Sequence, residues 1–175
     1  MADDVDWVRE VLRRFEAPLS RFAASIAGPA HAPDVVQDTF VKLCREDRQK
    51  IEGHLAAWLF TVCRNRAIEI VRAERRLSSM EDVDVEPNPD SGPVSKLERK
   101  ENATRVGAAM EALPEKQRQA LLLKVEGGLS YKEIAEVMNT TVGNVGFILH
   151  TAVSAIREHL AASEAPVAAG LGRTS

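Results

Sequence analysis

The chain has 175 residues, 45% hydrophobic and 28% charged, which is the composition of a globular protein with one or two small cores rather than of a disordered chain. No apolar stretch approaches the roughly 18 residues that a membrane-spanning helix needs, and the acidic start MADDVDWVRE does not resemble a secretion signal, so we expect a cytoplasmic protein without membrane insertion. The cysteines, Cys44 and Cys63, have no spacing typical of a zinc site or a disulfide framework, and both are predicted to be small core residues.

The net charge of −3 is unevenly distributed. Residues 1–79 carry 13 Lys/Arg and 12 Asp/Glu, residues 80–95 carry none and 5, and residues 96–175 carry 10 and 9. The middle segment, MEDVDVEPNPDSGPVS, also holds three of the eight prolines and shows no apolar periodicity, which predicts a flexible acidic linker. We therefore expect two small helical domains, 1–79 and 96–162, joined by this linker and followed by a flexible tail, 163–175.

Three helices are predicted in the first half, over residues 4–27, 33–46 and 54–77, from apolar residues that recur at helical spacing. Gly28-Pro29 is expected to end the first helix, and Pro18 to bend or divide it. On the second helix, Val36, Phe40 and Leu43 form the predicted core stripe.

The opposite side of the second helix carries carboxylates beside an aliphatic side chain. Asp34, Asp38 and Val41 point away from the core, with Gln37 at the edge. Such a face suits docking on a basic partner helix. It is equally typical of a merely soluble face, with Asp34 favouring the helix N-terminus.

The third helix has a stripe of chemically suggestive side chains opposite its core side. Trp58, Asn65, Arg72 and Arg76 fall in this stripe, and Arg64 and Arg75 widen the basic zone. A ring for base stacking, an amide for base edges and guanidiniums for phosphates are what a single-stranded nucleic-acid surface needs. The alternative is a solvated face on which Trp58 packs against a neighbouring helix.

The second half is predicted to contain helices over residues 96–112, 114–126, 130–138 and 141–162. Ser130 and Glu133 have the spacing of a capping box, and Thr141 is expected to cap the last helix. A short helix, a tight turn and a longer helix make a helix-turn-helix, although a three-helix unit without DNA has the same pattern. No strand pattern occurs, so the predicted fold class is all-α.

The last helix is predicted to turn an almost uncharged face outward. Val142, Val145, Leu149, Ala152, Ile156 and Leu160 are placed inward, and Arg157 is the one firm cation on the outer side. Asn144 is suited to adenine and Phe147 to a thymine methyl group. Attraction for phosphates is then expected from Lys116, Arg118 or Lys132.

Three segments, taken in order, resemble a known family. DVVQDTF, then HLAAWLFTVCRNRAIEIVRAERR, then LPEKQRQALLLKVEGGLSYKEIAEVMNTTVGNVGFILHTA resemble a bacterial RNA polymerase sigma factor of the extracytoplasmic-function (ECF) group. The resemblance runs from about Trp7 to Leu160. It implies core RNA polymerase and promoter DNA as partners, and an anti-sigma factor that holds the protein silent.

The resemblance also implies roles for named residues. The contacts to the polymerase clamp helices are Asp34, Gln37, Asp38 and Val41. The residues that hold an unstacked −10 base, together with the loop EDRQKIEG, are Trp58, Arg64, Asn65, Arg72, Arg75 and Arg76. The residues that meet the −35 duplex are Lys132, Thr141, Gly143, Asn144, Phe147, His150, Thr151 and Arg157.

One departure from the family concerns the helix that reads the −35 element. Relatives usually carry basic residues where this chain has GFILHT, with Gly146, Ile148 and Thr151 interrupting the pattern. Three explanations stay open: reading through apolar and amide contacts, weak reading rescued by tethering to polymerase, or a surface used by a protein partner.

An enzyme is not expected. The four histidines are scattered, no HExxH or phosphate-binding loop occurs, and no catalytic residues, metal ligands, cofactor or small-molecule substrate are predicted. The leading hypothesis is a promoter-specificity subunit. The alternative is a sigma-like interaction module or adaptor that binds polymerase or a regulator without reading promoter DNA.

Overall fold

The computed structural model describes residues 2–80 and 105–164. Within these ranges every regular element is helical, which confirms the all-α fold class. The predicted linker after Met80 and the predicted tail after Glu164 lie outside the described residues, as does the predicted helix before Arg105.

The first half consists of three long helices and one short one. Their bounds are α1, Ala2–Ala27; α2, Ala32–Arg45; α3, Arg48–Ile51; and α4, Leu55–Met80. Pro18 lies inside α1, which continues through it, so the expected division of this helix was wrong. The loop before the third predicted helix contains α3 and a 3₁₀ turn, Glu52–His54, that the sequence did not predict. The Asp47 carboxylate starts α3 by accepting a hydrogen bond from the Gln49 backbone N–H.

The apolar stripes of α1, α2 and α4 meet in one core. Phe22 of α1 and Phe60 of α4 pack edge to face with ring centroids 5.2 Å apart, a favoured aromatic geometry. Val36, Phe40 and Leu43 are buried on α2 as predicted. This packing leaves the outer faces of α2 and α4 available to solvent.

The second half is a compact group of four helices. Their bounds are α5, Arg105–Glu111; α6, Glu115–Val125; α7, Tyr131–Met138; and α8, Val142–Glu164. The capping box predicted at the start of α7 is present, with Ser130 and Glu133 each bonded to the other's backbone N–H. Asn139 adopts φ 54°, the left-handed conformation that ends α7 and creates the turn into α8.

The two halves contact each other directly, α1 with α6 and α4 with α7. Arg21 of α1 pairs with Glu126, the residue after α6. The apolar cores of the two halves form one continuous cluster. The sequence predicted two tethered domains and gave no indication of this interface.

Candidate protein and nucleic-acid interfaces

The outer face of α2 presents an acidic and aliphatic surface, as predicted. Asp34 and Gln37 are exposed, and Val41 keeps 41% of its surface accessible. Val41 also borders an apolar groove of about 500 Å³ between α1 and α2, together with Leu12 and Phe40. A helix from another protein has both a carboxylate edge and an aliphatic floor to contact here.

Asp38 occupies a different position from its neighbours on α2. It is half-buried, and Arg66 of α4 donates a hydrogen bond from Nε to Asp38 Oδ2 at 2.6 Å. Arg66 also donates to Glu69 at 3.1 Å, and the hydrogen bond to Asp38 is the largest of the causes that raise its pKa. Asp38 is therefore already paired within the chain, unlike the freely exposed Asp34.

The basic stripe on α4 is solvent-facing over its second part. Asn65, Arg72, Arg75 and Arg76 are exposed. Arg76 Nε donates to the Arg72 carbonyl oxygen at 3.4 Å, so these two guanidiniums project from adjacent turns of the helix. Cations at this spacing along one side of a helix can follow a nucleic-acid backbone.

Trp58, at the other end of this stripe, is half-buried and packs against the core. Of the two interpretations of this residue, packing accounts for the buried part of the ring. A base can stack only on the part that remains exposed.

Arg64 faces the second half of the chain rather than open solvent. Its Nε is buried without a hydrogen-bond partner among the described residues. Burial lowers the pKa of Arg64, Glu115 opposes this effect by raising it, and Arg72 lowers it further. Arg64 is thus held in a cleft, whereas the other predicted arginines of α4 are free.

The outer face of α8 has the composition that the sequence predicted. Phe147 is 69% exposed, and Gly143, Asn144, His150 and Arg157 are also exposed. Thr151 is half-buried, and its hydroxyl donates to the Phe147 carbonyl at 2.8 Å. The face combines an aromatic ring, an amide and one cation.

The turn into α8 orders the start of this face. Thr141 Oγ1 accepts a hydrogen bond from the Asn144 backbone N–H at 3.2 Å, which confirms the predicted cap. The Asn144 side chain donates to Thr140 Oγ1 at 2.8 Å. Val142 is 50% exposed and not inward as predicted, because the first residue of the helix projects beyond the packed region.

The cations expected to attract phosphates near α8 differ in availability. Lys132 of α7 and Lys116 of α6 are exposed. Arg118 is half-buried and donates to the Leu113 carbonyl oxygen at 3.1 Å, so it is tied to the turn before α6. The two lysines are the better candidates for phosphate contacts.

A contact missed by the sequence interpretation supports the loop after α2. The guanidinium of Arg48 lies 5.1 Å from the ring centroid of Trp7, a cation–π geometry, and also bonds Glu52 at 3.0 Å. The i,i+4 spacing of Arg48 and Glu52 is visible in the sequence, but the Trp7 contact is not. Across residues 2–80 and 105–164 there is no cluster of potential metal ligands and no helix suited to spanning a membrane.

Two family models match the chain, one in each half. The model "Sigma-70 region 2" matches residues 6–77, and the model "Sigma-70, region 4" matches residues 103–156. These spans contain the predicted −10 and −35 surfaces respectively.

Known proteins with similar sequences carry names of one kind. The chain is 33% identical over 148 residues to ECF RNA polymerase sigma factor EcfG of Rhodopseudomonas palustris, covering 80% of this chain and 77% of the relative. It is 28% identical over 156 residues to ECF RNA polymerase sigma factor SigE of Mycolicibacterium smegmatis, covering 87% and 61%. The ECF RNA polymerase sigma-E factor of Escherichia coli is 29% identical over 143 residues, covering 75% of each. The chain therefore spans about three fifths of SigE and about three quarters of the other two.

Two solved structures have a similar fold. The sigma factor RpoE in complex with the anti-sigma factor NepR from Bartonella quintana gives a TM-score of 0.62 at 25% identity, covering 89% of this chain and 97% of that chain. CnrH in complex with the cytosolic domain of CnrY gives a TM-score of 0.58 at 22% identity, covering 90% and 89%.

Proposed function

Because the chain belongs to the ECF group of RNA polymerase sigma factors, we propose that it binds core RNA polymerase and directs it to specific promoters. It acts in the cytoplasm, without bond chemistry, as a transcription initiation factor. The observation that carries the proposal is the position of distinct exposed faces on the two matched regions. The α4 face has the composition for unstacked −10 DNA, and the α8 face follows a capped helix-turn-helix suited to −35 DNA.

The α2 face supplies the contact with polymerase in this proposal. Asp34, Gln37 and Val41 are exposed together, and the groove beside Val41 extends the apolar part of the surface. A basic amphipathic helix of core polymerase complements this surface in charge and hydrophobicity.

On the DNA side, binding by each half alone is expected to be weak. Cations supply most of the affinity for DNA, and the outer face of α8 contributes only Arg157. Polymerase presents both halves to one promoter, so a high effective concentration compensates for the weak individual contacts.

The test is in vitro transcription by bacterial core RNA polymerase on a promoter library, with and without the chain. We expect transcripts that start at a shared −10/−35 pattern and depend on the chain. Core binding without promoter-selective initiation would instead support the adaptor hypothesis, which the exposed Phe147 and the scarcity of cations on α8 favour.

An anti-sigma factor is the proposed regulatory partner. RpoE of Bartonella quintana, with a TM-score of 0.62 to this chain, was solved in complex with the anti-sigma factor NepR. Co-purification of the full chain with the products of neighbouring genes tests this partner. A protein that abolishes core binding when added in equimolar amount would meet the expectation.

A further inference from the structure

The contact between the halves is anchored by one charged pair. Arg21 of α1 donates from Nε to both carboxylate oxygens of Glu126, at 2.6 and 2.8 Å. Glu126 is only 21% exposed, whereas Arg21 is 56% exposed. A guanidinium that engages both oxygens of a half-buried carboxylate fixes orientation as well as distance.

The residue after Glu126 brings the backbone close to the other half. A Cβ atom placed on Gly127 would lie 3.0 Å from Cε2 of Phe60 on α4 and 2.7 Å from the Leu123 carbonyl oxygen. Glycine therefore permits an approach that other residues would obstruct. The end of α6 is seated on α1 through charge and on α4 through close packing.

Farther along the same interface, the two proposed DNA surfaces border one cleft. This cleft has a volume of about 250 Å³, and its lining includes Arg64 of α4 and Asn144 of α8. Arg64 is assigned to the −10 element and Asn144 to the −35 element. Arg64 Nε stays buried without a partner there, which is an energetic cost of this arrangement.

The two promoter elements are too far apart for this arrangement to be the one that reads them. About 25 base pairs separate positions −35 and −10, which at about 3.4 Å per base pair is on the order of 85 Å. Residues that line one small cleft cannot reach both sites. The halves must separate before Arg64 and Asn144 contact their elements.

We propose that the Arg21–Glu126 pair is an intramolecular latch that holds the chain in a closed form with its DNA surfaces turned toward each other. The latch rests on the proposed function for its consequence but not for its existence. Interfaces between domains of one chain resemble transient interfaces, so opening is accessible. Core polymerase, by binding the two halves apart, favours the open form through its differential affinity.

Charge reversal separates the latch from simple electrostatics. Arg21→Glu places two carboxylates together, and Glu126→Arg places two guanidiniums together, so each single variant is expected to raise the open fraction about two- to fivefold. The double variant restores the pair with exchanged signs and the wild-type net charge. It is expected to return to the wild-type distribution.

Pulsed electron paramagnetic resonance on the full chain measures the opening. Spin labels at the exposed positions Arg13→Cys and Glu158→Cys report the distance between the halves, in a Cys44→Ser background, while the buried Cys63 stays unlabelled. Arg9→Glu is the matched control, because Arg9 is on α1 and its ion pair is with Asp6 in the same helix. We expect longer distances in both single reversals, and wild-type distances in the control and the double variant.

Binding of a single-stranded −10 oligonucleotide to the free chain gives a second readout. Arg21→Glu removes a cation, so charge alone predicts weaker binding, whereas release of the latch predicts binding about two- to fivefold tighter. Unchanged distances in Arg21→Glu would overturn the latch. Longer distances without DNA binding in any variant would retain the latch and refute the assigned DNA surface instead.

Discussion

Arg66 of α4 and Asp38 of α2 form an ion pair with Nε and Oδ2 2.6 Å apart, which joins the helix proposed to face polymerase to the helix proposed to face DNA. Both side chains keep more than a third of their surface accessible, so solvent screens the pair. Its main consequence is geometric: it fixes the angle between the two functional faces.

Asp38→Asn is expected to lower the free energy of unfolding by only about 0.5–1 kcal/mol, since the pair is partly exposed. Asp34→Asn, on the same helix but fully available, is expected to weaken core binding more. Urea unfolding and competition for core polymerase measure the two effects. The idea fails if Asp38→Asn loses core binding as strongly as Asp34→Asn and retains full stability.

Replacement of Arg72 and Arg76 together by alanine is expected to impair promoter opening more than core binding. These exposed guanidiniums contribute phosphate contacts, and each lost contact reduces the salt-dependence slope for single-stranded DNA by about 0.7. The double variant Arg9→Ala with Arg13→Ala removes the same charge from α1 and is the control. Open-complex formation and core affinity are measured at several salt concentrations. Equal loss of both activities would identify the stripe as structural.

Phe147→Ala is expected to reduce preference for the −35 element without reducing stability, because the ring is 69% exposed. Loss of apolar contact with a thymine methyl group corresponds to about 1 kcal/mol at one base position. Val153→Ala, a 37% exposed apolar residue on the same helix, is the control. Selection from a randomised −35 library gives the base preferences. Identical preferences for the wild type and Phe147→Ala would remove this residue from DNA recognition.

The local features of the fold were predictable because they depend on neighbours in sequence. Apolar periodicity gave the long helices to within a few residues at most ends, and the Ser130/Glu133 spacing gave the start of α7. The outward side chains of α8 followed from the same periodicity. Val142 was misplaced because periodicity does not show where packing against a neighbour begins.

Contacts between distant segments were not predictable in this way. Arg21 and Glu126 are 105 positions apart, and nothing in either segment indicates its partner. Arg64 shares a helix and a charge with Arg72, yet one faces a cleft and the other solvent, because the second half covers only part of α4. The assigned DNA and polymerase residues remain predictions, since their roles depend on partners absent from the chain itself.

The buried thiol of Cys63 provides a test of the core that is independent of DNA. Its sulfur lies 3.8 Å from the Leu19 carbonyl oxygen, and burial raises its pKa from 9.0 to about 12, with a side-chain hydrogen bond to Thr39 opposing the rise. A thiol-specific reagent at neutral pH is therefore expected to modify the exposed Cys44 and to spare Cys63 until the chain is unfolded.

The same shift makes stability depend on pH in the alkaline range. The folded state holds the Cys63 proton more tightly than the unfolded state, so this stabilisation is complete below about pH 9 and is lost as pH rises toward 12. The slope is up to about 1.4 kcal/mol per pH unit in that window. Urea unfolding of the wild type and Cys63→Ala between pH 8 and pH 10.5, values chosen as roughly convenient bounds, isolates this contribution, because other titrating groups are common to both. Parallel pH profiles, or two reactive thiols in the folded chain, would show that Cys63 is not held in a dry core.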